Sequence, residues 1–198
     1  ARYDAYPAYG LDCSREAALA VKLADGNMSL DLKVDGIDTE KAADFTVTRI
    51  TLRDKVYPFA VAVCYKAYNT VDMIETWTEI TNGEKKKSVT LNKFASGYLP
   101  IRRGNVWLSS LYGQWANEGR LCEEPLQPGV KVIKNKDGVR NAHTAHSEVM
   151  FSLDGKAQEN SGRVIGAALC YSGNYRLFID TDETDWHHFF AGINEDNS

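Results

Sequence analysis

The densest carboxylates in the chain are Glu118, Glu123 and Glu124 in one stretch and Asp180, Asp182, Glu183 and Asp185 in another. Two carboxylates can cleave a sugar acetal, one as acid and one as base or nucleophile, if they flank the bond about 5 to 10 Å apart. Density along a sequence does not supply that geometry. The first group surrounds a turn-like Glu-Glu-Pro and the second lies in a polar connection, so no catalytic residue is assigned here. His143-Thr144-Ala145-His146 would share a face on a helix but point to opposite faces on a strand. Its surroundings read as loop, so no metal is assigned and no cofactor is expected. Trp186-His187-His188-Phe189-Phe190 reads the same way, its aromatics capping a sandwich or touching a neighbouring domain. The chain has no Gly-x-Ser-x-Gly, no phosphate loop and no HExxH. Tyr171-Ser172-Gly173-Asn174 is too polar for a nucleophile elbow and reads as a tight turn held by Gly173 and an Asn side chain.

The aromatics are more suggestive. Tyr3, Tyr6, Tyr9, Trp107, Tyr112, Trp115 and Trp186 are plentiful, several of them close to Gly or Pro. Aromatic faces stack on sugar rings, and they also fill cores and interfaces. They permit a carbohydrate-binding module without establishing one. The chain has 198 residues, 43% hydrophobic and 25% charged, and a net charge of −4. That suits one large all-β domain, with two small ones as the lesser alternative, and is too short for a (β/α)₈ barrel, which needs about 250 residues. Nothing basic is concentrated enough to suggest nucleic acid; Lys85-Lys86-Lys87 reads as a solvated hairpin turn. No apolar run approaches the roughly 18 residues of a membrane span, and no signal peptide is evident. Cys13, Cys64, Cys122 and Cys170 are widely spaced and read as free thiols. The chain opens on Ala1 rather than Met, so something is expected to have been removed.

The elements that must position these residues are strands. The runs 18–23 and 28–34 flank Asp25-Gly26-Asn27, a strong hairpin signal. Residues 45–52 are rich in β-branched types, and 56–68 place Phe59, Val61, Val63 and Tyr65 on one face. Pro58 argues that this strand starts late or lies at an edge. Further runs are 73–81, 88–94, 106–111, 130–133, 149–153, 164–171 and 175–180, while 95–105 and 135–148 read as loops. Many short strands with turns at fairly regular spacing predict a β-sandwich.

Several strings together resemble a known family. They are Tyr6-Pro7-Ala8-Tyr9-Gly10, Gly113-Gln114-Trp115-Ala116-Asn117-Glu118, the stretch from Leu126 to Val139, Tyr171-Ser172-Gly173-Asn174 and Gly192-Ile193-Asn194. Their order over nearly the whole chain is similar to that of the amino-terminal domain of family 36 glycoside hydrolases, the α-galactosidase family. The Gly-x-Trp-x-x-Glu of that family matches Gly113, Trp115 and Glu118; residues 57–68 and then 72–82 resemble its long β pair with a Glu-x-Trp-x-Glu segment.

The resemblance implies an all-β β-supersandwich of two large antiparallel sheets, spanning 1–198 as a single non-catalytic domain. It implies a catalytic (β/α)₈ barrel downstream, carrying an Asp nucleophile and an Asp acid/base that this chain lacks. It implies homo-oligomers, subunit contacts and a galactoside-type sugar at the rim of the pocket, with Asp12 and Trp115 as the substrate-facing residues. The family's Gly-x-Gly-Asp-x-Arg appears here as Gly10-Leu11-Asp12-Cys13-Ser14-Arg15, with Asp12 one residue early. A register kept by Gly10 and Arg15 puts Cys13 at the sugar-contacting position instead. The family's pattern runs on beyond Asn194, so a cut after Ser198 is expected. The rivals are a free-standing carbohydrate-binding β-sandwich and a structural interaction domain, which fold alone cannot separate.

Overall fold

The computed structural model describes residues 4–10, 16–102, 104–140, 143–184 and 186–196. Among these there is no helix, and the chain divides into two compact units, residues 1–97 and 98–198. The all-β reading holds, with every sheet antiparallel.

The first unit is built on β2 (Leu32–Lys41), β3 (Phe45–Asp54), β4 (Phe59–Tyr68) and β5 (Ile74–Asn82), which form one four-stranded sheet in chain order. β4 begins just after Pro58, as a proline without a ladder donor requires. Leu52, Phe59, Val61 and Val63 are buried on one face. The other face carries the ion pair of Arg49 with Glu79, whose Oε1 also accepts the Trp77 indole N–H at 3.1 Å. β1 (Leu19–Lys22) pairs with β6 (Thr90–Phe94) in a separate ribbon. Tyr6 is buried, donates to the Ala95 carbonyl at 2.7 Å, and has its phenol pushed up to about 12 by burial.

The expected hairpin between 18–23 and 28–34 does not form. Asp25-Gly26-Asn27 does turn the chain, since Leu23 N–H donates to Asn27 O at 2.8 Å and Gly26 N–H to Leu23 O at 2.9 Å. The amino-terminal segment then comes between the two runs, with parallel bridges from Ala8 to Leu19 and from Gly10 to Leu30. It takes the backbone partners that a hairpin would have used, leaving β1 to pair with β6. Lys85 to Lys87 are exposed in a turn as expected, but that turn joins strands of different sheets.

The second unit contains β7 (Gly97–Ile101), β8 (Trp107–Tyr112), β9 (Arg120–Pro125), β10 (Gly129–Lys134), β11 (Ala145–Ser152), β12 (Val164–Ala168), β13 (Tyr175–Thr181) and β14 (His187–Ile193). They form two four-stranded sheets, ordered β10-β13-β14-β7 and β12-β11-β8-β9. One shared core joins the two: Leu108, Val149 and Phe151 from one sheet meet Ile133, Tyr175, Leu177, Ile179 and Phe189 from the other. Phe151 and Phe189 pack edge to face at 5.2 Å. Burying both inner faces against each other makes a β-sandwich.

Four strands in this unit are corrections or extensions. β7 lies inside 95–105 and the start of β11 inside 135–148, both read as loops. β7 contains Pro100 and sits at the end of its sheet, where a missing N–H is tolerated. β9 carries the Glu-Glu-Pro read as a turn, and β14 carries the aromatics read as a cap. β14 is buried along almost its whole length, so it has no polar alternation to betray it.

Candidate functional site

Asparagines hold one corner of the second unit together. Asn135, 1% exposed, donates through Nδ2 to Gly138 O at 2.8 Å and Gly173 O at 3.0 Å, and its Oδ1 accepts Asp137 N–H at 3.1 Å. Its own carbonyl accepts from Asn194 Nδ2 at 3.1 Å, and Asn174 Oδ1 takes Gly138 N–H at 2.8 Å. A Cβ on Gly173 would stand 2.6 Å from the Tyr171 ring, so a larger residue here would have to push that ring aside. The tight turn expected at Tyr171 to Asn174 is therefore present, and it serves as one wall of this network. Buried amides cost free energy unless their hydrogen bonds are made; here the bonds fix three loops to one another. Asn135 was missed in the sequence because it lies in a segment read as loop, and one asparagine carries no positional signal.

The network reaches outward to the β8–β9 turn. Thr144 Oγ1 donates to Asp137 Oδ2 at 2.7 Å, and Thr144 O accepts Gly113 N–H at 3.2 Å. Gly113 opens a turn closed by Asn117 N–H to Gln114 O at 2.9 Å. A Cβ on Gly113 would lie 2.6 Å from Glu118 Cα, so no other residue fits without moving the turn. Ala116 sits in the left-handed region at φ 59°, a conformation that costs a non-glycine residue about 1 to 2 kcal/mol. Glu118 offsets this by accepting Ala116 N–H on Oε1 at 2.9 Å, and His143 Nε2 lies 3.7 Å from the same oxygen. Trp115, at the apex, is 79% exposed. Four of the five strings of the motif pattern thus meet: three lock a scaffold, and the fourth presents an indole on it.

Asp12, Cys13, Arg15 and Asp185 fall outside the described residues. Three of the other acids are engaged locally. Glu123 and Glu124 point to opposite faces of β9 and pair with Lys156 at 2.6 Å and Lys131 at 2.5 Å. Asp182 is buried below β14, where Oδ1 accepts Thr184 N–H and Oγ1–H, each at 2.8 Å, and Trp186 N–H at 3.0 Å. Its Oδ2 lies 3.2 Å from His188 Nε2, and His188 Nδ1 lies 2.9 Å from the Tyr98 hydroxyl. Burial alone would push Asp182 up, but these hydrogen bonds together outweigh it and bring the carboxyl down to about 2. The Tyr98–His188–Asp182 chain was not foreseen, because Tyr98 is ninety residues from His188. His146 Nδ1 lies 3.1 Å from Glu148, and among the described residues no three His, Cys, Asp or Glu side chains converge as metal ligands. Cys64, Cys122 and Cys170 are free thiols.

Comparisons with known proteins agree with this pattern. The model of the Glycosyl hydrolase family 36 N-terminal domain matches residues 2–198. Alpha-galactosidase Mel36A of Lactobacillus acidophilus is 29% identical over 148 residues, 75% of this chain and 20% of that protein. Alpha-galactosidase AgaA of Geobacillus stearothermophilus is 26% identical over 207 residues, 96% of this chain and 28% of its own length. The crystal structure of that GH36 enzyme superposes with a TM-score of 0.88 at 23% identity, covering 96% of this chain and 28% of it. The alpha-galactosidase of Lactobacillus brevis superposes at 0.87 with 24% identity, again 96% of this chain and 27% of that one. The chain thus spans between a fifth and just over a quarter of the length of these relatives.

Proposed function

The chain belongs to the family of glycosyl hydrolase family 36 N-terminal domains, and from that premise we propose that it is the accessory amino-terminal domain of an α-galactosidase-like retaining glycoside hydrolase. The observation that carries the reading is a family match spanning residues 2–198. Its support is that the similar full-length proteins are alpha-galactosidases of which this chain accounts for a minor part. In this reading a downstream barrel supplies the nucleophile and the acid/base. This domain supports that barrel, contributes to subunit contacts, and lends Trp115 and Asp12 to the rim of a pocket for a galactoside-type sugar.

The test is to read the coding frame past Ser198 and assay its product. Several hundred further codons with strand–helix alternation, and hydrolysis of α-galactosides by the product, are the expected result. A frame that stops within a few codons would end the enzyme reading. Saturable galactoside binding by the isolated chain would then favour a free-standing carbohydrate-binding module.

A further inference from the structure

We propose that Glu118 is a positioning residue, and that its carboxylate holds the β8–β9 turn so that Trp115 stands out as a preformed stacking platform for a pyranose ring. The inference rests on the reading of the chain as part of an α-galactoside-cleaving enzyme.

A solvent-exposed Trp on a floppy loop is a poor platform, because ordering it on binding costs conformational entropy. This turn is already ordered. Gly113 N–H is tied to Thr144 O at 3.2 Å, and Thr144 is tied in turn to Asp137 at 2.7 Å and so to buried Asn135. Residues 114 and 117 close the turn on each other. What remains is the left-handed residue next to the indole, Ala116, and Glu118 Oε1 takes its N–H at 2.9 Å. Backbone strain beside an exposed aromatic persists only where surrounding bonds over-determine it. Glu118 is the side chain that closes that set, so it is coupled to Trp115 through the backbone without touching a ligand itself.

The ligand class follows from the platform. A galactopyranose has an axial hydroxyl at C4, which leaves the hydrogens of C3, C4 and C5 together on one side. That apolar side matches a flat indole, and stacking of this kind needs no charged partner. An exposed indole could instead anchor a second copy of the chain, and the experiment distinguishes the two.

Two measurements on four proteins decide it: wild type, W115A, E118A and E118Q. In the 198-residue chain, backbone amide relaxation of residues 114–118 reports order in the turn. In the full-length parent, KM and kcat are measured on an α-galacto-oligosaccharide. E118A is expected to raise fast motion at 114–118 and to raise KM about three- to tenfold at unchanged kcat, as W115A does. E118Q, whose amide oxygen still accepts the Ala116 N–H, is expected to restore both. Unchanged relaxation in E118A would overturn the positioning role. An unchanged KM in W115A, or a change of oligomeric state in its place, would overturn the sugar platform. A parent with no hydrolysis of α-galactosides would instead refute the reading of the preceding subsection, while the relaxation still decides what Glu118 does.

Discussion

Asp182 keeps its charge inside the protein because donors from three residues converge on it, and that makes it a pH-dependent element of stability. Its folded pKa, about 2, lies below the ordinary 3.8, so the unfolded chain takes up the proton first. The stabilisation is complete above the unfolded value and is lost as the pH falls through the folded one. Thermal melting should therefore hold steady down to about pH 5 and drop between about 4 and 2. Asp182→Ala should lower stability at neutral pH by about 2 kcal/mol, since it removes the charged acceptor of the Thr184 and Trp186 N–H groups. It should also flatten the acid limb; an equally steep limb in the variant would show that another group is responsible. Glu79 is a useful contrast. The Arg49 guanidinium also holds it down to about 2, yet its side chain is 44% exposed. Solvent screens such a pair, so Glu79→Gln should change stability by under about 1 kcal/mol in the same melting experiment.

At the scale of elements, the β8–β9 turn and the two ends of the burial range make separate predictions. Gly113→Ala forces a Cβ against Glu118 Cα and the Asn117 carbonyl, which are backbone and cannot swing aside. It should destabilise by about 1 to 3 kcal/mol, and new amide shifts should be confined to the turn and to Thr144, its partner. Hydrogen exchange should be slowest in β13 and β14, which are buried almost throughout, and much faster in β2, where Val34 and Ile37 are 62% and 63% exposed. Protection in β2 equal to that in β14 would contradict this ordering. The same contrast explains what could be read in the sequence. β3, β4 and β5 were legible because their sequences carry β-branched runs or large apolar residues at every second position. β14 was not, because burial on both faces erases the alternation. The 18–34 hairpin misled for another reason: residues 8 to 10 compete for its hydrogen bonds, and only the folded chain shows which pairing wins. The site divides in the same way. Trp115, Gly173 and Asn174 were legible as motif residues, whereas Asn135 and Tyr98 act through distant partners that local pattern cannot reveal.

At the scale of the whole molecule, the question is what this chain can do alone. Its described carboxylates near the aromatic turn are each engaged: Glu118 with Ala116, Glu123 with Lys156, Glu124 with Lys131. None is poised as half of an acid–nucleophile pair across a sugar bond. The arrangement suits holding and presenting, so the 198-residue chain should not hydrolyse an aryl α-galactoside at any pH at which it stays folded. If the proposed accessory role is right, removing residues 1–198 from the parent should lower its kcat/KM or its soluble yield. Adding the separate chain back should recover part of the loss if docking is what it provides. A stable, fully active parent lacking these residues would refute the supporting role, and Trp115 would then need a different explanation, as the contact of a free-standing binding domain.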